Sequence, residues 1–133
     1  MKKSGVLNPK LASMIASCQH GDIIMICDSG YPIPFGKETL DLSLTVNLPR
    51  SIDVAKVILD DLTIEGVIVA LEMEQRSKLF YDALTAILPD VPLRKISHAE
   101  FKELGKKEQN IMFVRTGEAT PFANIMLVSG VIF

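Results

Sequence analysis

The sequence contains no tryptophan, and its lysine and arginine residues never form a run longer than two. With a net charge of −2, the chain lacks the basic face that nucleic-acid binding needs. No apolar run approaches the roughly eighteen residues of a membrane-spanning helix, and the N-terminal segment lacks the pattern of a secretory signal peptide. We therefore expect neither nucleic acid nor a membrane as a partner.

Cysteine is also scarce, because Cys18 and Cys27 are the only two and both lie among apolar residues. Such cysteines are typical of small buried side chains and not of a disulfide framework or a metal site. This pattern fits the reducing conditions of the cytoplasm, where we expect the protein to work.

The motifs of common cofactor enzymes are missing as well. The sequence has no G-x-G-x-x-G, no P-loop and no G-x-S-x-G. A metal site can be imagined from His20, Asp28, His98 and Glu118, but these residues lack the short spacing of metal ligands. We therefore expect no cofactor and no metal.

Apolar side chains, by contrast, are abundant: 48% of the 133 residues are hydrophobic and 23% are charged. The length predicts one domain spanning residues 1–133. A small monomer has much surface to cover with polar groups, so the apolar excess hints at a surface covered by another subunit.

Apolar strand patterns alternate with amphipathic helical patterns along the chain. Buried strands are predicted in DIIMIC and IEGVIVALEM, further strands in VPLRKI and NIMFVR, and one strand or a pair in IMLVSGVIF. Helices are predicted in LNPKLASMIASCQHGD, PRSIDVAKVILDDL, EQRSKLFYDALTAILP and SHAEFKEL. The alternation predicts an α/β fold, a three-layer sandwich with a mixed, mostly parallel sheet and helices on both faces. Ligands of such sheets bind at strand ends.

Capping residues mark the starts of three helices. Asn8 is suited to cap the first helix, with Pro9 at its first helical position. Ser51 is a possible cap of the second helix. Ser97 and Glu100 have the spacing of a capping box at the start of the fourth.

Two apolar patterns predict which side chains are buried. The leucines of TLDLSLTV alternate with polar residues, which predicts a half-buried strand or extended segment reaching Leu44. The second helix is predicted to bury Val54, Val57, Ile58 and Leu62 on one face.

His20 and Asp28 stand at the two ends of the predicted strand DIIMIC. A histidine with a pKa of about 6.5 suits proton transfer at neutral pH, and an aspartate can hold hydroxyl groups as a charged acceptor. His20 can equally be an exposed cap of the preceding helix, and Asp28 can equally open an Asx turn. These residues alone leave both interpretations open.

His98 falls in the first turn of a capped helix, where the helix dipole should lower its pKa and keep the ring neutral. A neutral imidazole both donates and accepts, which suits a sugar hydroxyl. The loop RTGEATPFAN offers the ring of Phe122 and the amide of Asn124, a combination found in carbohydrate subsites. A surface histidine and an ordinary loop are the alternatives.

Five stretches together resemble the D-ribose pyranase family, a relative of the L-fucose mutarotases: MKKSGVLNPKL, HGDIIMICDSGYPIP, LDLSLTVNLP, SHAEFK and RTGEATPFANIMLVSGVIF. The resemblance covers the whole chain, and LDLSLTVNLP favours the ribose branch. It implies an isomerase that interconverts the β-pyranose and β-furanose forms of D-ribose without a metal or nucleotide. It also implies a cytoplasmic homo-oligomer, a decamer of two pentameric rings with sites at subunit contacts.

The resemblance further implies that His20, in the H-G-D motif, is the proton donor. The sugar-binding residues that it implies are Asp28, His98, Phe122, Ala123 and Asn124. Position 122 departs from the family, which has tyrosine there, so a contact through a phenol hydroxyl is absent. A contact through the ring face or the main chain remains available.

The length of the predicted strand bears on how such a site is built. Eight steps separate His20 from Asp28, and a strand rises about 3.3 Å per residue, so an extended connection holds them about 26 Å apart. A pentose is much smaller. We therefore expect the site to lie at a subunit interface, with at least one of its residues donated by a neighbour.

Two functions of other classes stay open. A non-catalytic sugar-binding or regulatory module of a ribose transport system would keep Asp28, His98 and Asn124 but would tolerate loss of His20. A purely structural ring protein would have no concave polar pocket.

Overall fold

The computed structural model describes residues 1–133. Eleven helices and strands follow one another along the chain. In chain order they are α1 (Pro9–Ser17), β1 (Ile23–Cys27), β2 (Thr39–Asp41), α2 (Ser51–Leu59), β3 (Ile64–Ala70), α3 (Leu71–Arg76), α4 (Lys78–Ile87), β4 (Leu93–Ile96), α5 (His98–Lys107), β5 (Ile111–Arg115) and β6 (Ile125–Ser129).

The strands form one six-stranded sheet in the order β2-β5-β1-β6-β3-β4. Strand β6 is antiparallel to both of its neighbours, β1 and β3, and the other three pairs are parallel. This arrangement confirms the predicted mixed, mostly parallel sheet. Because β6 runs against the others, it begins at the edge where β1, β3, β4 and β5 end. We call this the carboxyl edge, and the opposite one the amino edge.

Helices cover both faces of the sheet, as predicted, but unequally. Helices α1 to α4 pack on one face over a core cluster of 21 buried residues. Helix α5 packs on the other face over a cluster of nine, which includes Phe101, Phe113 and Tyr31. None of the helices combines the length and apolar character needed to cross a bilayer.

The first helix and strand form where the local signals predict them. The Asn8 side chain accepts a hydrogen bond from the N–H of Leu11 at 3.0 Å, and Pro9 is the first helical residue. Met14 and Ile15 complete the buried face of α1. All five residues of β1 are buried, because α1 and α2 cover one side of this central strand and the α5 layer covers the other.

The prediction that a half-buried strand or extended segment reaches Leu44 is wrong. Strand β2 ends at Asp41, and Leu44 is 78% exposed. The chain turns back on itself just beyond, where Thr45 and Leu48 form an isolated antiparallel bridge. The alternating leucines therefore do not continue along the sheet.

The prediction that Ser51 caps α2 is also wrong. Arg50 occupies the N-cap position, and Ser51 is buried with its N–H donating to the Glu118 carboxylate at 3.1 Å. A distant side chain thus supplies the acceptor that a capping serine would supply. On the predicted apolar face, Val57 is 43% exposed whereas Val54 is buried.

Two element boundaries differ from the predicted ones. The stretch IMLVSGVIF forms one strand, since β6 ends at Ser129 and residues 130–133 have no regular structure. The residues Leu71–Met73, predicted as the end of a strand, instead begin α3.

Helix α5 packs closely against the Tyr31 side chain at Gly105. A Cβ atom there would lie 2.6 Å from the hydroxyl oxygen of Tyr31 but 3.8 Å from its Cζ. The Tyr31 ring cannot easily move away, because it stacks on Phe113 at 6.2 Å and meets Phe101 edge-on at 6.3 Å. Glycine at this position therefore allows the close packing of α5 against Tyr31.

Gly105→Ala is expected to destabilise the fold by about 1–2 kcal/mol, because overpacking costs more than alanine gains in a helix. In a Tyr31→Phe background the same change should stabilise by about 1 kcal/mol, since the clashing oxygen is gone. Urea unfolding of the four proteins measures the coupling. Equal effects of Gly105→Ala in both backgrounds would show that the Tyr31 hydroxyl does not limit the approach of α5.

Candidate functional site

Asp28 and Asn124 meet at the carboxyl edge of the sheet. Asp28 follows β1 and Asn124 directly precedes β6. The Asn124 side-chain oxygen accepts the Asp28 N–H at 2.8 Å, and its Nδ2 donates to Asp28 Oδ2 at 2.9 Å. Because Asn124 is buried, this pair of bonds fixes the Asp28 carboxylate at the surface of the sheet edge.

The loop after β1 gives Asp28 further donors. The Gly30 N–H donates to Asp28 Oδ1 at 2.9 Å, so the predicted Asx turn is present. Burial raises the pKa of Asp28 above its ordinary value, while hydrogen bonds from Gly30, Asn124 and Tyr31 and the nearby His98 oppose that rise. A carboxylate with a raised pKa is a stronger base as well as a hydroxyl acceptor.

His98 lies at the same edge, as the first residue of α5 and two positions after the end of β4. Its Nδ1 is buried and has no hydrogen-bond partner within the chain. Burial lowers the pKa of His98, and the charge of Lys102 lowers it further. The predicted direction is confirmed, but burial rather than the helix dipole is the leading cause. The ring therefore stays neutral near pH 7, with a nitrogen free for a polar ligand.

Phe122 and Ala123 connect this cluster to the loop before β6. Phe122 has a φ of 59°, in the left-handed region that a bulky side chain seldom occupies. Its ring meets the His98 ring edge-on, with 5.0 Å between centroids. Ala123 is fully buried in the larger core cluster. The structure thus brings the predicted residues 122–124 beside Asp28 and His98.

His20 lies at the amino edge, away from the other predicted site residues. Its Nε2 is 2.8 Å from the Glu65 carboxylate at the start of β3, and its side chain is 62% exposed. The neighbouring Gly21 N–H donates to the carbonyl of Ser129 at the end of β6. The five residues of β1, about 16 Å at strand rise, separate His20 from Asp28. One chain therefore does not bring His20 to the cluster.

Glu118, considered above as part of an imagined metal site, has a structural role. Its side chain is fully buried and accepts bonds from the N–H of Ser51, from Arg50 and from the Thr120 hydroxyl. The carboxylate thereby stabilises the start of α2 and is not part of the carboxyl-edge cluster. The imagined set does not come together, and no group of three His, Cys, Asp or Glu residues could hold a metal ion.

Two residues beside His98 were not predicted as site residues from the sequence. Lys102 follows His98 by one helical turn on α5 and acts on it through its charge. Glu72, on α3, accepts a hydrogen bond from the His98 N–H at 2.7 Å. The motif SHAEFK contains Lys102 and could have pointed to it, whereas the contact of Glu72 joins residues 26 positions apart and leaves no local signal.

The cluster combines a carboxylate, a neutral imidazole, an aromatic ring and a buried amide. Such a set suits a small ligand rich in hydroxyl groups. Gly30 and Pro121, on either side of it, are exposed, so the cluster lies open at the surface of the chain. A second wall is needed to enclose a ligand.

The chain matches the model of the RbsD / FucU transport protein family over residues 1–132. It is 46% identical over 133 residues to the D-ribose pyranase of Coprothermobacter proteolyticus and 44% identical over 133 residues to that of Bacillus cereus. Both alignments cover the whole of each chain.

Solved structures share this fold. The structure of Bacillus subtilis RbsD complexed with D-ribose superposes with a TM-score of 0.93 at 39% identity, with both chains covered completely. The fucose mutarotase of Streptococcus pneumoniae, in complex with L-fucose, gives a TM-score of 0.73 at 19% identity, with 96% of this chain and 95% of that chain covered. The second likeness concerns the fold alone.

Proposed function

We propose, because this chain belongs to the RbsD / FucU transport protein family, that the protein is a D-ribose pyranase. Such an isomerase interconverts the β-pyranose and β-furanose forms of D-ribose. One observation carries the proposal: D-ribose pyranases are similar to this chain at 38–46% identity from end to end. The carboxyl-edge cluster supports it, because its donors and acceptors fit a hydroxyl-rich ligand.

Ring interconversion of a sugar hemiacetal needs two proton transfers to open the ring and two to close the new one. A base takes the proton of the anomeric hydroxyl while an acid protonates the ring oxygen, and the bond between that oxygen and the anomeric carbon breaks. The open-chain aldehyde forms, and a different hydroxyl then adds to its carbonyl carbon. Reversed proton transfers close the new ring. No electrons are transferred to or from the sugar, so acid–base groups suffice for this chemistry.

The residues of this chain divide that work. Asp28 and Asn124 hold sugar hydroxyl groups as acceptor and amide partner, and neutral His98 donates to or accepts from a further hydroxyl. The Phe122 ring offers a face to the sugar and no hydroxyl group. His20 is the proposed proton donor, because a histidine exchanges protons readily near pH 7.

The position of His20 at the amino edge leads to a proposal about assembly. A neighbouring subunit supplies His20 to the Asp28 cluster, so each site combines the amino edge of one copy with the carboxyl edge of another. Contacts of this head-to-tail kind form rings when the rotation between successive copies closes. We propose a homo-oligomer of two pentameric rings in the cytoplasm. The exposed apolar side chains of Val46, Leu79, Ile132 and Phe133 support a surface that other copies cover.

Nuclear magnetic resonance of D-ribose measures the proposed activity directly. The wild-type protein is expected to transfer magnetisation between pyranose and furanose signals faster than buffer alone. Line broadening of ribose without faster exchange would instead support the non-catalytic sugar-binding module. The absence of both line broadening and faster exchange would support a purely structural ring protein. It would contradict both sugar-dependent functions.

A further inference from the structure

Glu72 ties the start of α5 to α3. It is the second residue of α3, and its Oε2 accepts the backbone N–H of His98 at 2.7 Å. The first N–H groups of a helix have no partner inside the helix. Ser97 accepts the Glu100 N–H at 3.2 Å, so Glu72 and Ser97 together satisfy two of these groups.

This contact is of a strong kind. A hydrogen bond to an ionised carboxylate is stronger than one between neutral groups, and a negative charge is favourable beside a helix N-terminus. Glu72 is half-buried, so water screens its charge less than that of a fully exposed side chain. Its backbone partner is His98 itself, the residue whose ring faces Phe122.

We propose that Glu72 is a positioning residue of the sugar site, holding the His98 main chain so that the His98 ring stays beside Asp28 and Phe122. This inference rests on the proposed function, since it concerns the same site. Glu72 acts through His98 and has no assigned contact with the sugar.

Three charged groups act on the His98 ring from three parts of the fold. Lys102, on α5 itself, lowers its pKa, whereas Glu72 on α3 and Asp28 after β1 raise it. Removing the charge of Glu72 leaves the effect of Lys102 less opposed. The pKa of His98 should then fall further below its ordinary value.

Two variants separate position from charge. Glu72→Gln keeps an oxygen that can accept the His98 N–H but removes the charge, and Glu72→Ala removes both. Glu74→Gln is the matched control, because Glu74 lies on the same helix and pairs with Lys95, away from His98. Unfolding curves of all variants show whether each one folds.

The first readout is the titration of His98 by nuclear magnetic resonance. The chain has two histidines, so a His20→Gln variant identifies the signal of each. Glu72→Gln is expected to lower the apparent pKa of His98, and Glu74→Gln to leave it unchanged. Glu72→Ala removes the acceptor as well as the charge, so an unchanged His98 titration in that variant would overturn the inference, and this measurement needs no activity.

The second readout is catalysis of ribose exchange. Glu72→Ala is expected to lower kcat/KM by about 10–100-fold, mainly through a raised KM, because a misplaced ring costs binding and alignment. Glu72→Gln should lose much less. If the wild type accelerates exchange and Glu72→Ala equals Glu74→Gln, this inference fails while the proposed function stands. If the wild type does not accelerate exchange, the proposed function fails and the titration alone decides.

Discussion

His20→Ala is expected to slow pyranose–furanose exchange of D-ribose by about 10²–10⁴-fold, the contribution of one positioned acid or base. The fold should survive, because the His20 side chain is 62% exposed and makes its one described contact with Glu65 at the surface. Binding of ribose should be retained, since Asp28, His98 and Asn124 are untouched. Magnetisation transfer gives the rate, and ribose titration gives the affinity.

Glu65→Gln is the natural control for this variant. It removes the ionised partner of His20 but keeps the imidazole, so most of the activity should remain. Exchange by His20→Ala at the wild-type rate would remove His20 from the mechanism.

Mixed oligomers test whether His20 comes from a neighbour. Neither His20→Ala nor Asp28→Asn should be active alone, but co-expressed subunits should form some contacts at which an intact His20 meets an intact Asp28. Random assembly in equal amounts restores about a quarter of the sites across head-to-tail interfaces. No recovery in verified mixed oligomers would contradict the shared site.

Glu118→Ala is expected to destabilise the fold by about 1–3 kcal/mol, the cost of leaving a buried hydrogen-bond donor without its partner. The Glu118 side chain is fully buried and accepts bonds from Ser51, Arg50 and Thr120, so alanine leaves a buried N–H of α2 without its partner. Denaturant unfolding measures the difference. Asp53→Ala is the matched control, because Asp53 is an exposed acid in the first turn of the same helix and should cost below about 1 kcal/mol.

The pH dependence of stability provides a second view of Glu118. Burial alone would raise its pKa, but the hydrogen bonds from Arg50, Thr120 and Ser51 and the charge of Arg50 outweigh burial and lower it. A lowered folded-state pKa gives stability that is present above the unfolded pKa, about 4.3 for glutamate, and is lost as pH falls below it. The stability gap between wild type and Glu118→Gln should therefore narrow in acid. A gap independent of pH would contradict the ionised buried carboxylate.

Local interactions explain why much of the fold could be predicted. The Asn8 cap, the buried face of α1 and the apolar strand β1 depend on residues close together in the sequence. The order of the strands could not be predicted in this way, because it depends on which strand edges pair across the whole chain. Leu44 and Val57 were misjudged for the same reason: an apolar pattern does not say which residues of the folded chain, if any, cover it.

The candidate site likewise combines local features, which the sequence indicates, with long-range contacts, which it does not. The length of β1 could be read from the sequence, and it correctly separates His20 from Asp28 in one chain. The pairing of Asp28 with Asn124 joins residues 96 positions apart, so the sequence could indicate the two loops but not their hydrogen bonds. The structural role of Glu118 could not be predicted from the sequence, because its partners Arg50 and Ser51 lie 68 and 67 positions away.

The five residues of β1 carry a consequence for how the protein behaves at different concentrations. Under the proposed assignment, a strand that keeps His20 and the sugar ligands at opposite edges leaves an isolated copy inert. Catalysis then becomes a collective property, which appears when copies associate and disappears on dilution. A copy with substitutions at both edges loses the site formed by its own sugar ligands. It also inactivates the neighbouring site to which its His20 would have contributed.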